Sequence, residues 1–565
     1  MNLLGKFLPK TSFDSYEDFR ASFRYAPPPR YNFAYDVVDV YAREAPGQLA
    51  LLWAAEDDSF HRFTFADMKR MSDKAANVFA AHGIRKGDAV MLTLKNRCEF
   101  WFCMMGLHKL GALAIPATHM LTDHDLVYRF RAADVKMLVA ANEECLLSYA
   151  EKAVAAMDGG APRLALVAGN GPRAGWLDFS AELEAASDAW EKPAGFACDR
   201  DPMLAYFSSG TTGEPKMVLH DYFYSLGHIV TSRFWHNDTE GGLHYTVADT
   251  GWGKAVWGNL YGQWISGSGV FVHDYARFLA SKTLALVARA GVTSFCAPPT
   301  VYRFLIKEDM SKYDFSTLRY ACVAGEPLNP EVYDRFLEAT GIKLMESYGQ
   351  TETTLSVGNF LWMEPKKGSM GRPSPVYNVR LIRKDGTDCD VGEEGEMVIP
   401  LPENPAERPF GLFRGYVGNP EATADAQRGG VYHTGDVAWK DEDGYFWYVG
   451  RDDDLIKSSG YRIGPFEVES ALMAHPAVLE CAVTGAPDPV RGQIVKATIV
   501  LSKGYEGYYG DAAKLDGLTK DLQEHVKHAT APYKYPRKIE YVKELPKTIS
   551  GKIQRKVIRE HDRRA

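Results

Sequence analysis

At 565 residues the chain is too long for one hydrophobic core and is expected to hold three or four units of ordinary domain size. With 46% hydrophobic and 24% charged residues it is globular in composition, and a net charge of −8 argues against a nucleic-acid coat protein or a polybasic membrane binder. Eight cysteines (Cys98, Cys103, Cys145, Cys198, Cys296, Cys322, Cys389, Cys481) form no C-x-x-C pair, which points away from a zinc knuckle or disulfide framework and toward a reducing compartment.

The first nine residues hold too short an apolar stretch for a signal peptide, and Asp14, Glu17 and Asp18 follow where a transit peptide avoids acids. No run reaches the length of a bilayer span, so the expectation is a soluble cytoplasmic protein without a membrane span. Residues 34–43 then repeat apolar positions at helical spacing. Phe65 to His82 has a helical pattern, Asp88 to Thr93 reads as a strand, Glu99 to Leu110 as a helix and Ala112 to Pro116 as a strand. The alternation continues through Leu126 to Ala140, which implies parallel strands with crossover helices and an α/β layered sheet.

The stretch Tyr206 to Val218 joins two apolar strand-like runs through Ser208, Ser209, Gly210, Thr211, Thr212 and Gly213, with Pro215 and Lys216 before the second run. Glycines let backbone N–H groups converge on an anion, hydroxyls add donors and Lys216 adds a point charge, so the stretch reads as a phosphate-gripping loop. It differs from the P-loop of nucleotide hydrolases, which needs four residues between its Gly and Gly-Lys and a helix after it.

Trp252, Trp257 and Trp264 follow, interleaved with glycines and Lys254. They read equally as core and as the wall of an apolar ligand tunnel. Residues 294–299 and 320–327 read as strands ending on Pro or Gly, the places where open α/β sheets hold ligands. Short strands with Asp-Gly turns at 379–400 and 444–449 predict a small β-rich subdomain. Three acids in Gly450 to Lys457 predict an exposed linker. The remainder has an αβ alternation of its own (465–474, 479–484, 495–501, 515–528) and is predicted to be a small α+β domain. From Ala531 onward eleven Lys/Arg face four acids, a balance that suits a polyanionic small molecule.

Five segments stand out together: Ser208 to Lys216, Glu346-Ser-Tyr-Gly-Gln-Thr-Glu352, Tyr432-His-Thr-Gly-Asp436, Gly450 to Arg462, and Leu545-Pro-Lys-Thr-Ile-Ser-Gly-Lys552-Ile-Gln-Arg555. In this order they resemble the adenylate-forming superfamily of acyl-CoA synthetases, luciferases and adenylation domains, over nearly the whole chain. Residues 450–465, 488–492 and 531–538 are similar to the medium-chain acyl-CoA synthetases in particular. The resemblance implies a large N-terminal domain (1–452) of layered αβ sheets with a small β-rich subdomain. A mobile α+β C-terminal domain (453–565) would hinge at Asp453.

It also implies the site. The ATP residues would be Ser208 to Gly213, Lys216, Gly325, Glu326, Pro327, Glu346, Ser347, Tyr348, Gly349, Gln350, Thr351, Asp436, Arg451 and Lys552, with Glu352 on Mg²⁺. Lys552, Thr351, Glu352 and Lys216 would be catalytic. Ser459, Gly460, Tyr461, Arg491, Lys527 and Tyr535 would meet coenzyme A, and Trp252, Lys254, Trp257, Cys296, Gly349 and Arg462 the acyl group. His433 is assigned no general-base role.

The expected reaction joins a carboxylic acid to coenzyme A through an acyl-adenylate, releasing AMP and pyrophosphate. Acetate-specific relatives carry tryptophan in place of Gly349. The glycine therefore implies short-to-medium, branched included, aliphatic acids, with a benzoate-type acid or a separate carrier protein as the alternative. The expected partners are small molecules and no nucleic acid, and a homodimer is left open.

Overall fold

The computed structural model describes residues 1–167, 173–208, 214–458, 461–489, 491–547 and 553–564. Two compact units result. The first comprises Met1–Lys367, Gly371–Asn378 and Leu401–Gly430, and the second Gly368–Met370, Val379–Pro400 and Val431–Ala565. This division by compactness falls at 430/431. The expected hinge at Asp453 concerns rotation, a different property.

In one sheet of the first unit, Trp176–Asp178, Arg163–Val167, Val135–Ala141, Ala89–Thr93, Leu113–Pro116 and Pro202–Ser208 run parallel in that spatial order. Lys216–Asp221 and then Gly415–Tyr416 add to its edge antiparallel. The expected alternation is present because the crossover helices are locally well specified. Phe65–Ala81 and Asp123–Ala132 each begin on a reciprocal cap, Thr64 with Asp67 and Thr122 with Asp125, which satisfies donors that a helix start leaves orphaned. Leu126 and Phe130 of the second helix close on strand residues such as Met91, Ile115 and Leu138, which are buried.

In the second sheet of this unit, Leu49–Ala54, Gly269–His273, Leu243–Thr246, Ser294–Ala297, Tyr320–Ala324 and Leu344–Tyr348 lie parallel. Phe60–Thr64 flanks them antiparallel on one side and Val357–Gly358 on the other. Tyr245, Phe271, Phe295 and Val323 pack there with Leu284, Val287, Tyr302 and Phe336 from the covering helices.

The second unit contains two sheets. Arg380–Ile382, Gly395–Pro400, Val431–Lys440 and Phe446–Arg451 form an antiparallel meander, the expected β-rich element. Tyr461–Ile463, Ile456–Ser458, Gly492–Leu501, Val478–Asp488 and Lys538–Tyr541 form the other sheet, covered by Pro465–Met473 and Ala512–Ala529.

Two expectations need correction. Residues 450–457 are not simply an exposed linker: Leu455 and Ile456 are buried, and Asp454 pairs with Arg555 (3.9 Å) and with Arg559. The basic tail is also less available than its count implied, since Lys534 pairs with Glu467, Lys547 with Glu480 and Arg555 with Glu469. Among the described residues no helix is long and apolar enough to cross a membrane.

The two sheets of the first unit approach each other at Gly251, just beyond the strand Leu243–Thr246. A Cβ there would lie 2.2 Å from the backbone nitrogen of Thr118, just beyond Leu113–Pro116. Backbone cannot swing aside as a side chain does, so Gly251→Ala is expected to cost roughly 1–3 kcal/mol, read as a lower unfolding midpoint of the full chain.

Candidate functional site

The parallel register of the second sheet assembles much of the expected site. Cys296 is paired with Thr246 and with Cys322, Val323 with Glu346, and Ala324 with Ser347. The segments that leave these strands, 325–328 and 349–353, therefore emerge side by side at the carboxyl ends, where open α/β sheets hold ligands.

Glu346 is 4% exposed. Its Oε1 accepts from Leu328 N at 3.1 Å, and its main-chain oxygen accepts from Asn359 N and Nδ2. It thus holds the turn that contains Gly325, Glu326 and Pro327, where Glu326 itself accepts from Thr300 Oγ1 and faces Arg303 at 3.6 Å. Ser347 is buried, whereas Tyr348, Gln350, Thr351 and Glu352 are half-buried.

The turn after Tyr348 is gripped from two sides. On one side Gly349 lies against Trp257: a Cβ at 349 would sit 2.3 Å from the indole Cη2 and 2.8 Å from the Thr354 carbonyl. Trp257 Nε1 donates to Tyr224 Oη at 3.2 Å, and Tyr224 stacks on His220 at 3.9 Å between centroids. His220 Nε2 donates to the Thr351 carbonyl at 2.8 Å. Burial pushes the His220 pKa down to about 3, so the imidazole is neutral and acts as a fixed donor.

On the other side Glu352 Oε1 accepts from Tyr416 Oη at 3.0 Å, and the Glu352 carbonyl accepts from Phe413 N at 2.8 Å. The Tyr416 ring lies 4.8 Å from Lys216 Nζ. Lys216 is paired with Ser208 across the hairpin that carries the phosphate loop, and Ser208 Oγ donates to the Lys216 carbonyl at 3.3 Å. A cation and a carboxylate of the expected site thus share one tyrosine. Residues Ser209 to Gly213 lie outside the described residues.

For the acyl residues, Lys254 Nζ donates to the Ala324 carbonyl at 2.6 Å. Burial raises the Cys296 pKa, while the Lys254 charge and a hydrogen bond with Thr246 oppose the rise. Trp252 is half-buried and Trp257 is 8% exposed, whereas Trp264 is wholly buried and donates to the Ala50 carbonyl. The aromatic cluster is therefore core at Trp264 and borders the glycine turn at Trp257.

The second unit builds its own cluster. Asp436, 4% exposed, accepts from Tyr448 Oη at 3.0 Å and faces Arg451 across the strand pair. Burial disfavours the Arg451 cation, but the Asp436 and Asp453 carboxylates outweigh it and raise its pKa; Arg451 Nε reaches Asp453 Oδ1 at 3.4 Å. Arg462 donates to Asp452 Oδ1 at 2.9 Å and belongs to this unit, while Trp252, Lys254, Trp257 and Cys296 belong to the first.

Tyr461, 51% exposed, stacks on Tyr533 at 4.2 Å. Lys527 and Arg537 lie 4.5 and 4.8 Å from the Tyr535 ring, an aromatic surface lined by cations. Arg491 N donates to Asp488 Oδ1 at 2.8 Å. Arg555, of the last motif, grips Glu469 with two nitrogens, each at 2.8 Å or 3.1 Å. Ser459, Gly460 and Lys552 lie outside the described residues.

A family model described as AMP-binding enzyme matches residues 38–417, and one described as AMP-binding enzyme C-terminal domain matches residues 467–552. This chain belongs to the AMP-binding enzyme family. It is 40% identical to the acyl-coenzyme A synthetase ACSM3, mitochondrial, of Mus musculus, over 98% of this chain and 94% of that protein. It is 42% identical to ACSM5 of Homo sapiens, over 95% of this chain and 91% of that protein. The crystal structure of Brucella canis acyl-CoA synthetase aligns with a TM-score of 0.73 at 32% identity, covering 98% of this chain and 99% of that one. The anthranilate CoA ligase AuaEII, in complex with anthranoyl-AMP, aligns with a TM-score of 0.82 at 28% identity, over 95% of this chain and 98% of that one. The expected family and the mixed α/β fold both hold.

Sequence reasoning missed Tyr416, His220, Tyr224 and Tyr448. Each stands outside the motif it supports: strand pairing brings Tyr416 and Tyr448 there, and side-chain contacts bring His220 and Tyr224.

Glu346 supplies a pH test. Burial raises its pKa to about 8, against the hydrogen bond from Leu328, so between about 4.5 and 8 the folded chain holds a proton that the unfolded chain releases. This group's contribution is present below the unfolded value and is lost as pH rises through 8. Glu346→Gln should flatten the decline in stability across that window, measured by urea unfolding at a series of pH values.

Proposed function

We propose that this protein is an AMP-forming acyl-coenzyme A synthetase that activates short-to-medium-chain, branched included, aliphatic acids through an acyl-adenylate. The observation that carries the reading is the shared tyrosine. Tyr416 spaces Lys216, on the phosphate hairpin, from Glu352, at the end of the strand-edge turn. Displacement at the α-phosphorus of ATP needs a cation for the departing pyrophosphate and a carboxylate for the metal that accompanies it. Carboxylate oxygen is the donor type that Mg²⁺ takes, usually one or two such groups alongside substrate phosphates, so Glu352 fits. When bound, Mg²⁺ would neutralise developing phosphate charge.

The chain's own residues divide the remaining work. Lys216 and the 208–213 segment would bind the leaving phosphates, and Thr351 and Gln350 would border the α-phosphate. Asp436, an acceptor-only carboxylate already oriented by Tyr448, would take the ribose hydroxyls, with Arg451 beside it. Lys552 would hold the acid's carboxylate and the bridging oxygen in the first half-reaction. Rotation about Asp453 would then withdraw it and present Ser459, Gly460 and Tyr461 to coenzyme A, with Arg491, Lys527 and Tyr535 on its nucleotide.

Lys552→Ala should lower adenylate formation by at least about a hundredfold, measured as pyrophosphate exchange, yet leave thioester formation from supplied acyl-AMP largely intact. Asp453→Pro should do the reverse, because a fixed φ stiffens the hinge. Loss of both steps in either variant would refute the division of labour.

Substrate length follows from the Gly349–Trp257 contact. The glycine leaves the backbone side open, and the indole then takes up part of that space. An acid panel in the exchange assay should favour butyrate and branched or longer acids over acetate; acetate in first place would overturn the argument. The likeness to a ligase solved with anthranoyl-AMP favours benzoate-type acids as the second reading, and the same panel decides between them. For location we propose the cytoplasm: all eight cysteines are unpaired, which suits a reducing compartment, although the mammalian relatives carry "mitochondrial" in their names.

A further inference from the structure

Arg200, Pro405, Ala406, Arg408 and Arg414 line a cavity of about 290 Å³ in the first unit. Three guanidiniums gather there around a single carboxylate. Arg200 Nη1 donates to Asp221 Oδ2 at 3.1 Å, and Arg414 Nη1 stands 3.8 Å from the same oxygen. Asp221 is 2% exposed. The charges that act on Arg408 are Arg414, Arg200 and Asp221, two like and one opposite. Burial and that repulsion pull the Arg408 pKa down to about 10, which still leaves it cationic at neutral pH.

Of the acids close by in sequence, Asp201 pairs with Lys86, while Asp199 accepts from Tyr31 N and Glu407 from Asn404 Nδ2, both neutral donors. Arg408 Nε and one of its terminal nitrogens, with Arg200 Nε, find no acceptor among the described residues. Within the cluster, three guanidiniums thus stand against the one carboxylate of Asp221.

The guanidiniums are also held in position. Arg200 Nη2 donates to the carbonyls of Ala406 at 3.2 Å and Arg408 at 2.6 Å, and its guanidinium lies 4.9 Å from the Phe223 ring and 5.3 Å from the Phe410 ring. Those rings stack on each other at 4.2 Å. Arg408 lies 5.9 Å from the Phe413 ring, and Arg414 donates to the Arg200 carbonyl. A structural pin between residues 405–414 and the strand Lys216–Asp221 would need only Arg200, which bonds Asp221 and the Ala406 and Arg408 carbonyls at once. It would not explain two further cations brought up against it, because like charges at close range cost free energy unless an anion joins them.

We propose that this cavity binds a small multivalent oxyanion of the phosphate class, at a site separate from the nucleotide motifs. Separation follows from the strand: at about 3.4 Å per residue, five steps put Asp221 roughly 17 Å from Lys216. The volume of about 290 Å³ is ample for a phosphate or pyrophosphate. Planar forks suit such oxyanions better than ammonium groups do. The site also has a route to the catalytic turn: Arg414 N donates to the Leu219 carbonyl, Phe413 N to the Glu352 carbonyl and Tyr416 Oη to Glu352. Occupancy would therefore steady the segment that holds Glu352.

The test is a thermal-unfolding titration of the full chain with inorganic phosphate and, separately, pyrophosphate. Chloride at equal ionic strength is the control, and a non-hydrolysable ATP analogue fills the nucleotide site throughout. Either oxyanion should raise the midpoint above the chloride control. Arg408→Gln should raise the half-saturating concentration by at least about tenfold without altering the shift given by the analogue itself. If Arg408→Gln does not fold, Arg408→Lys carries the test: it keeps the charge and loses the fork, and a rise of about threefold is expected. A stronger response to pyrophosphate identifies the reaction's leaving group as the occupant, and a stronger response to phosphate the free ion. No shift beyond chloride, or an unchanged response in the variants, overturns the proposal.

Discussion

The turn at 349–353 depends on being held from both sides by neutral groups. Gly349 rests on Trp257, Trp257 is tied to Tyr224, Tyr224 stacks on His220, and His220 returns to the Thr351 carbonyl. The circuit is buried and uncharged, because burial keeps the imidazole deprotonated at neutral pH. A charged histidine there would need a partner or would be expelled. Tyr416 completes the grip at Glu352, so the carboxylate at the end of the turn stands on a base that does not titrate with it. Electrostatic catalysis requires donors and charges fixed before the reaction, and this frame provides that fixity.

The second unit obtains similar order by different means. Its acids and arginines are paired directly: Asp436 faces Arg451, Arg451 reaches Asp453, Arg462 takes Asp452, and Arg555 takes Glu469 and approaches Asp454. Many of these pairs stand near residues 451–455, where strand gives way to the smaller sheet. The exposed pairs among them, Arg451–Asp453 and Arg462–Asp452, contribute little net stability each, so they can orient a segment without locking it. That suits a stretch proposed to turn, whereas the buried ring circuit of the first unit suits one that must not.

The sequence made the fold legible where periodicity and caps were strong. The helices at Phe65–Ala81 and Asp123–Ala132 carry their starts in Thr64/Asp67 and Thr122/Asp125, and the runs flanking the phosphate loop are the expected strands, here paired antiparallel. The three acids of 452–454 misled because charge density says nothing about partners: Arg555 and Arg559, about a hundred residues on, draw Asp454 inward. Tyr416, His220 and Tyr448 were invisible for a related reason. A tyrosine or histidine alone in a strand looks like any core aromatic, and its role arises from register, as when Gly415–Tyr416 pairs with Val218 and Leu219 and carries Tyr416 toward Lys216.

Gly349 shows how a motif residue and an unmarked one define a property together. Read alone, through the resemblance to acetate-specific synthetases with tryptophan at this place, the glycine implies an open pocket. In the fold, an indole from a different segment meets the space that the glycine leaves, and any side chain at 349 would collide with it at 2.3 Å. The free volume belongs to the pair, because close-packed interiors leave no room to enlarge one member while the other stays. The position of the Trp257 ring, set by its hydrogen bond to Tyr224, therefore governs the space beside the turn as much as the missing side chain does.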